Sequence, residues 1–148
     1  ADSLGAIVGL TLATTRADVV KAILDCQTYE LAINLAALRA AGIRVERVSA
    51  AGGGARSSAW LQVKADVLNV PIRTLRVGEA ACLGAAIFAG LGAGVYPSLA
   101  AGVQRTVRFD RVYHPDPASH AAHAARLDIY RELQATLRPI HQRLKATR

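Results

Sequence analysis

Three consecutive glycines, Gly52, Gly53 and Gly54, lie between a β-branched stretch and the serines that begin an amphipathic stretch. Glycine lacks a Cβ, so a ligand can approach its backbone N–H closely, and positive φ angles cost it little. A helix that begins directly afterwards, with Ser57 or Ser58 as its N-cap, adds free N–H groups and the positive end of its dipole. This order of residues favours a site for a phosphate or a nucleotide, with a purely structural turn as the alternative.

Two common phosphate-binding motifs do not fit this glycine turn. A dinucleotide fingerprint needs a third glycine where Ser57 stands, and an acidic residue at the end of the next strand, where residues 70–75 have none. A P-loop is excluded because no Gly-Lys-Ser/Thr sequence follows the glycines.

The remaining polar residues form no obvious catalytic or metal-binding set. His120 and His123 are spaced so that both could face one ion, but exposed histidines on an alanine-rich helix are more often unliganded. The acidic residues form no paired general acid and base, and they are better interpreted as helix caps and surface groups. We therefore predict no catalytic residue and no metal ligand in this chain.

Composition places the 148 residues among folded proteins, since 52% are apolar and the mean hydropathy is +0.24. No apolar run approaches the roughly 18–20 residues of a membrane span, and no signal-peptide pattern is present. Cys26 and Cys82 lie far apart without metal-ligand spacing, which is typical of reduced cysteines. We therefore expect a cytoplasmic protein with no membrane partner.

The net charge of +7 raises the question of nucleic-acid binding. The basic residues are spread along the whole sequence, and no aromatic residues alternate with them to stack on bases. We therefore expect no nucleic-acid partner.

The elements needed to position the glycine turn follow from periodicity and capping signals. Thr15 and Asp18 have the spacing of a capping box, which predicts the start of a long, mostly buried helix. Gly42 is a natural stop for this helix. The further predicted elements are a strand at 45–50, a helix at 57–68, a strand at 70–75, helices at 79–94 and 98–106, an extended segment at 107–113 and a terminal helix beyond 117. This order indicates an α/β layer with parallel strands, in which so few strands imply an incomplete sheet.

Several separate segments resemble the FGGY carbohydrate kinases, and most of all their xylulokinase-type members. Residues 5–10 with 18–25 resemble the C-terminal signature of that family, and GGGARSSAWLQVKADVLNVPI (52–72) resembles its adenosine-binding segment. Residues 79–99 and 111–123 are similar to the segments that follow in the family. The resemblance covers essentially the whole chain.

The resemblance implies an actin-like ATPase (ribonuclease H-like) domain of the α/β class, incomplete and helix-rich, with a small and mainly parallel sheet. Residues 1–148 would be a fragment, the C-terminal nucleotide-binding domain of a sugar kinase. Gly52, Gly53 and Gly54 would lie against the ribose and α-phosphate of ATP or ADP, and Ser57 near the adenine. Mg²⁺ would arrive with the nucleotide.

The family transfers the γ-phosphoryl group of ATP to a sugar hydroxyl, here that of a ketopentose such as xylulose. The sugar pocket and the catalytic base would belong to an N-terminal domain outside this chain, so the chain alone would be inactive. The alternative is a stand-alone nucleotide-binding or oligomerisation module without catalysis. An incomplete sheet leaves apolar surface exposed, so we expect self-association, for example as a homodimer.

Overall fold

The order of helices and strands follows the sequence pattern closely. The structure is a computed structural model, which describes residues 4–147. Its elements are α1 (Arg16–Ala40), β1 (Val48–Ala50), a 3₁₀ turn (Gly53–Arg56), α2 (Ser58–Leu68), β2 (Ile72–Leu75), α3 (Ala80–Gly92), α4 (Leu99–Thr106), β3 (Phe109–Tyr113) and α5 (Pro117–Ala146). No helix in the part of the chain that the structure describes is both long and apolar enough to cross a membrane.

Short polar side chains begin the helices as predicted. The hydroxyl of Thr15 accepts from the backbone N–H of Asp18 at 3.3 Å, and the Asp18 carboxylate accepts from the N–H of Thr15 at 2.9 Å. These hydrogen bonds from Thr15 hold the pKa of Asp18 below its usual value. Ser57 caps α2 in a similar way, and Asn69 ends that helix in the left-handed conformation.

The sheet has the order β1-β2-β3 and is mixed, which corrects the prediction of a mainly parallel sheet. β1 pairs with β2 in parallel, whereas β2 pairs with β3 in antiparallel orientation. The reason lies in the connections: one helix, α2, returns the chain to the starting end of β1, but two helices, α3 and α4, return it to the end where β2 stops. There the N–H of Arg76 donates to the carbonyl of Arg108 at 2.8 Å.

Helix α2 lies at the centre of the core. Its Leu61 and Ala65 are fully buried, and on the sheet Ile72 is almost so. α2 packs against α1, α5 and β2, and side chains of α1 complete the cluster with Tyr29, Ala32 and Leu35. The hydrophobic core is therefore built around one short helix.

Helix α1 departs from the prediction of a mostly buried helix. Five of its 25 residues are buried, and they lie on the side that α2 and α5 cover: Asp25, Thr28, Tyr29, Ala32 and Leu35. Four of its large apolar residues are exposed to solvent: Val20, Ile23, Leu31 and Leu38. The helix carries apolar residues on all of its faces. Periodicity therefore did not show which face the other described elements leave exposed.

Two histidines near the start of α5, His120 and His123, also differ from expectation. His123, predicted to be exposed, is buried, and its Nδ1 lies 3.0 Å from the hydroxyl of Tyr29. His120 Nδ1 donates to the backbone carbonyl of Asp66 at 2.8 Å. The two rings thus have separate partners that fix α5 to α1 and to α2.

The outer face of the sheet carries a stacked cation. The guanidinium of Arg73 lies over the ring of Phe109, 3.6 Å from its centroid, and Arg73 Nε donates to the hydroxyl of Ser49 at 2.9 Å. Phe109 remains 45% exposed. The side chain of Arg73 therefore shields part of an aromatic residue that faces solvent.

Gly52 connects β1 to the 3₁₀ turn with φ +78° and ψ −166°. This region of backbone space is essentially restricted to glycine. The first of the three glycines is therefore required by the backbone conformation itself.

We predict that the burial of His123 makes stability depend on pH. Burial lowers the pKa of His123 from its ordinary 6.5, so the unfolded chain binds a proton more readily than the folded one. Stability should therefore decrease as the pH falls below 6.5. The charged groups that face the ring are Asp25 and Lys21 of α1, Asp66 of α2 and Arg126 of α5.

Thermal unfolding measured between about pH 7.5 and about pH 5.5 checks this dependence. His123→Gln should remove most of the decrease, and His114→Gln, at an exposed loop position, should retain it. An unchanged pH slope in His123→Gln would contradict the prediction.

We also predict that Gly52→Ala destabilises the fold by about 1–3 kcal/mol, because alanine is strained at this positive φ. Gly53→Ala is the matched control, since Gly53 has no positive φ and a Cβ there meets no atom within 4 Å. Urea unfolding should show a change of less than about 0.5 kcal/mol for the control. Equal losses in the two variants would show that the strain is not specific to Gly52.

Candidate functional site

The glycine turn lies between the end of β1 and the start of α2. After Gly52 the chain forms one turn of 3₁₀ helix, Gly53–Arg56, and Ser57 then returns to an extended conformation. The first N–H groups of a 3₁₀ helix or an α-helix have no acceptor within the helix. The turn therefore places two sets of such N–H groups within six residues.

A second segment supports the turn from the side of α3. The N–H of Gly52 donates to the carbonyl of Gly78 at 3.1 Å, and the guanidinium of Arg56 lies 3.4 Å from the carboxylate of Glu79. Glu79 is the residue before α3, where the sequence predicted only a helix start. Sequence reasoning missed this neighbour of the turn, and the available signal was a glycine, Gly78, directly before a helix.

The turn has open space on the side of the first two glycines. A Cβ added to Gly52 or Gly53 would meet no atom within 4 Å, whereas one added to Gly54 would lie 3.2 Å from the ring of Trp60. Gly54 is thus needed for close packing, while Gly53 faces free space. A ligand can reach the backbone of Gly53 without displacing a side chain.

Positive charge lies beside the turn. The ammonium of Lys64 is 3.6 Å from the centroid of the Trp60 ring, and burial lowers its pKa. The exposed guanidinium of Arg56 lies 3.4 Å from the carboxylate of Glu79. Together with the helix dipole, these cations favour an anion at this position.

Ser57 and Trp60 fix the start of α2. The Ser57 hydroxyl accepts from the N–H of Trp60 at 3.3 Å, which leaves its own proton free to donate. The Trp60 indole N–H contacts the carbonyl of Leu24 at 3.3 Å and the hydroxyl of Thr28 at 3.1 Å. These contacts attach the candidate site to α1, and Ser57 also lines a groove between the two helices.

The described residues offer no set of metal ligands. No group of three or more His, Cys, Asp or Glu side chains within residues 4–147 is placed to hold a metal ion. The acidic side chain nearest the turn, Glu79, lies against Arg56. A metal ion bound beside this turn would need most of its ligands from another source.

The structure thus brings all four predicted site residues, Gly52, Gly53, Gly54 and Ser57, to one turn. Their contact with a nucleotide stays a prediction. The three glycines differ in what they do: Gly52 allows the backbone conformation, Gly54 allows close packing, and Gly53 leaves open space.

Comparison with known proteins relates this chain to one enzyme family. The family model described as the FGGY family of carbohydrate kinases, C-terminal domain, matches residues 1–93. A xylulose kinase from Staphylococcus epidermidis is 30% identical over 141 residues, which are 95% of this chain and 27% of that protein. Other similar proteins are named glycerol kinase or ribulokinase.

Solved structures agree with these relationships. The crystal structure of xylulose kinase from Rhodospirillum rubrum matches with a TM-score of 0.76 and 31% identity, over 90% of this chain and 27% of that one. The Plasmodium falciparum glycerol kinase with ADP matches with a TM-score of 0.69 and 27% identity, over 86% of this chain and 26% of that one.

The fold is that of the actin-like ATPases, as predicted, and the chain spans little more than a quarter of the length of the relatives above. The match over residues 1–93 includes α1, the glycine turn, α2 and the whole of α3. The chain therefore belongs to the FGGY family of carbohydrate kinases.

Proposed function

We propose that this chain is the nucleotide-binding part of an ATP-dependent carbohydrate kinase, with residues 1–148 forming its C-terminal domain. The observation that carries the proposal is the glycine turn, which is open at Gly53 and flanked by the starts of α2 and α3. In a member of a kinase family, a turn of this kind is suited to bind a nucleotide. It binds the ATP from which the phosphoryl group is taken.

In this proposal Gly52, Gly53 and Gly54 lie against the ribose and α-phosphate, and Ser57 lies near the base. The similarity to a glycerol kinase solved with ADP supports a nucleotide as the ligand. The backbone N–H groups of the turn donate to phosphate oxygens, while Arg56 and Lys64 supply positive charge nearby. Mg²⁺ arrives on the phosphates of the nucleotide, since the described residues provide no ligand set.

The acceptor we propose is the hydroxyl group of a ketopentose such as xylulose. Two xylulose kinases align with 95% and 97% of this chain and a ribulokinase with 90%, against 79% for a glycerol kinase, and this supports a ketopentose over glycerol. The sugar and the catalytic base would be held by other parts of a longer protein, because the chain spans little more than a quarter of its relatives. A cytoplasmic location stays a prediction of the sequence.

The second candidate, a non-catalytic module that self-associates, is supported by one observation. Many large apolar side chains are exposed, among them Leu12, Val20, Ile23 and Phe88. Such a surface favours contact with another chain or another domain. The two candidates differ in whether phosphoryl transfer takes place.

We predict that Gly53→Val lowers the affinity for ADP by more than about tenfold, because the new side chain occupies the space through which the ligand reaches the backbone. The fold should tolerate the change, since φ is not positive and no atom lies within 4 Å of the new Cβ. Isothermal titration calorimetry with ADP measures the effect. Gly92→Val, at another position with open space on α3, is the control and should bind as the parent does.

We also predict that the chain alone transfers no phosphate from ATP to xylulose, because the acceptor and the catalytic base are not positioned beside the nucleotide. A coupled ADP-release assay with ATP, Mg²⁺ and xylulose should show the same rate with and without the sugar. Sugar-dependent turnover would show that this chain contains its own acceptor site.

A further inference from the structure

A hollow of about 370 Å³, here called the sheet hollow, lies on the outer face of the sheet. Its lining combines two arginines with apolar residues: Glu46, Arg47, Pro71, Arg73, Phe109 and Val112. The hollow shares no residue with the glycine turn or with the groove between α1 and α2. It is therefore a feature separate from the proposed nucleotide site.

Arg73 presents a guanidinium that is fixed in position. Its neighbours in β2, Ile72 and Thr74, are buried on the core side, so the Arg73 side chain extends from the outer face. The hydrogen bond from Nε to Ser49 and the stacking on Phe109 hold the group. These contacts do not use the two Nη atoms, which have no acceptor among residues 4–147. A pair of oriented N–H donors thus remains available.

The sheet hollow also has an excess of positive charge. Within the described part of the chain, neither Arg47 nor Arg73 forms an ion pair. The one carboxylate of the lining, that of Glu46, lies 3.8 Å from an Nη atom of Arg44, which is outside the hollow. The two arginines of the hollow therefore lack an anionic partner.

Apolar surface lies beside these cations. Phe109 is 45% exposed and Val112 is 51% exposed, and Pro71 completes this part of the lining. A guanidinium can bind a carboxylate through two parallel hydrogen bonds, whereas an ion pair alone contributes little at an exposed site. A ligand that fits the hollow therefore combines a carboxylate with an apolar group.

We propose that the sheet hollow binds an acidic segment of a partner protein. A glutamate or aspartate of that segment accepts hydrogen bonds from the Nη atoms of Arg73, and Arg47 adds positive charge. An apolar side chain of the same segment packs on Phe109 and Val112. In an extended segment these two side chains are two positions apart, so that both lie on one face.

Charge and stacking disfavour two other occupants. The chain carries 18 basic and 11 acidic residues, so a second copy with the same net charge of +7 is repelled from this basic surface. A single-stranded nucleic acid binds by stacking its bases on aromatic rings, but Arg73 already covers one face of Phe109. An acidic protein segment complements the hollow without either conflict.

Fluorescence anisotropy with a labelled synthetic peptide tests the proposal. Glutamate and valine take turns at every second position of this peptide, with serine between them, and a matched peptide has glutamine in place of glutamate. The glutamate peptide should bind at least about tenfold more tightly, as expected for paired hydrogen bonds between charged groups. Equal affinities, or no binding of either peptide, would overturn the proposal.

Two variants of Arg73 separate geometry from charge. Arg73→Gln should lower the affinity for the glutamate peptide by about tenfold. Arg73→Lys keeps the charge but lacks the planar pair of donors, so it should lose at least about fivefold. Arg47→Gln leaves the contacts with Ser49 and Phe109 untouched and should lose about threefold. Unchanged binding in Arg73→Lys would indicate non-specific attraction, and unchanged binding in Arg47→Gln would likewise reject the site.

Arg111→Gln is the matched control, because it removes the same charge from β3 outside the hollow. It should change the affinity by less than about twofold. Losses of equal size in Arg111→Gln and Arg73→Gln would indicate a general charge effect and overturn the proposal.

The same variants identify any other occupant. Single-stranded DNA that binds more tightly than the glutamate peptide, and that Arg73→Gln releases, would assign the hollow to a nucleic acid. A dimer in sedimentation that Arg73→Gln dissociates would assign it to a second copy of the chain. Either result would overturn the proposal of an acidic partner.

Discussion

The burial of α2 is the constraint on which the rest of the structure depends. Leu61 and Ala65 are completely enclosed by α1, the sheet and α5. Close van der Waals contacts with these neighbours therefore fix the position of α2. Its first residues, Ser57 and Trp60, are fixed with it and bring the glycine turn to one place. A ligand at the proposed site would therefore meet backbone that is held in place by a close-packed core.

Local rules predicted the helices, their caps and the glycine turn, because each depends on residues close together in the sequence. The pairing of Thr15 with Asp18 and the cap at Ser57 are examples. The direction of β3, the exposed side of α1 and the burial of His123 depend on residues far apart, so no local pattern contained them. The distinct tasks of Gly53 and Gly54 likewise required the position of Trp60.

Membership of the FGGY family and the open geometry of the glycine turn independently support the proposal that a nucleotide binds at this turn. The family match includes α1 and the turn, whereas residues after 93 lie beyond it. Residues of α5 beyond this match still help to position α1. His123 contacts Tyr29, and Tyr130 donates a hydrogen bond to Glu30. The long terminal helix therefore braces the helix that, together with α2, forms the groove.

The Arg73–Phe109 stack has a consequence for how layers can form on this sheet. An exposed aromatic ring on a strand ordinarily favours packing against another hydrophobic layer. Here the guanidinium of Arg73 already covers one face of the ring of Phe109. Anything that approaches must either displace the cation or satisfy it with an anionic group. The outer side of the sheet is thereby chemically biased toward acidic neighbours and against a plain aliphatic cover.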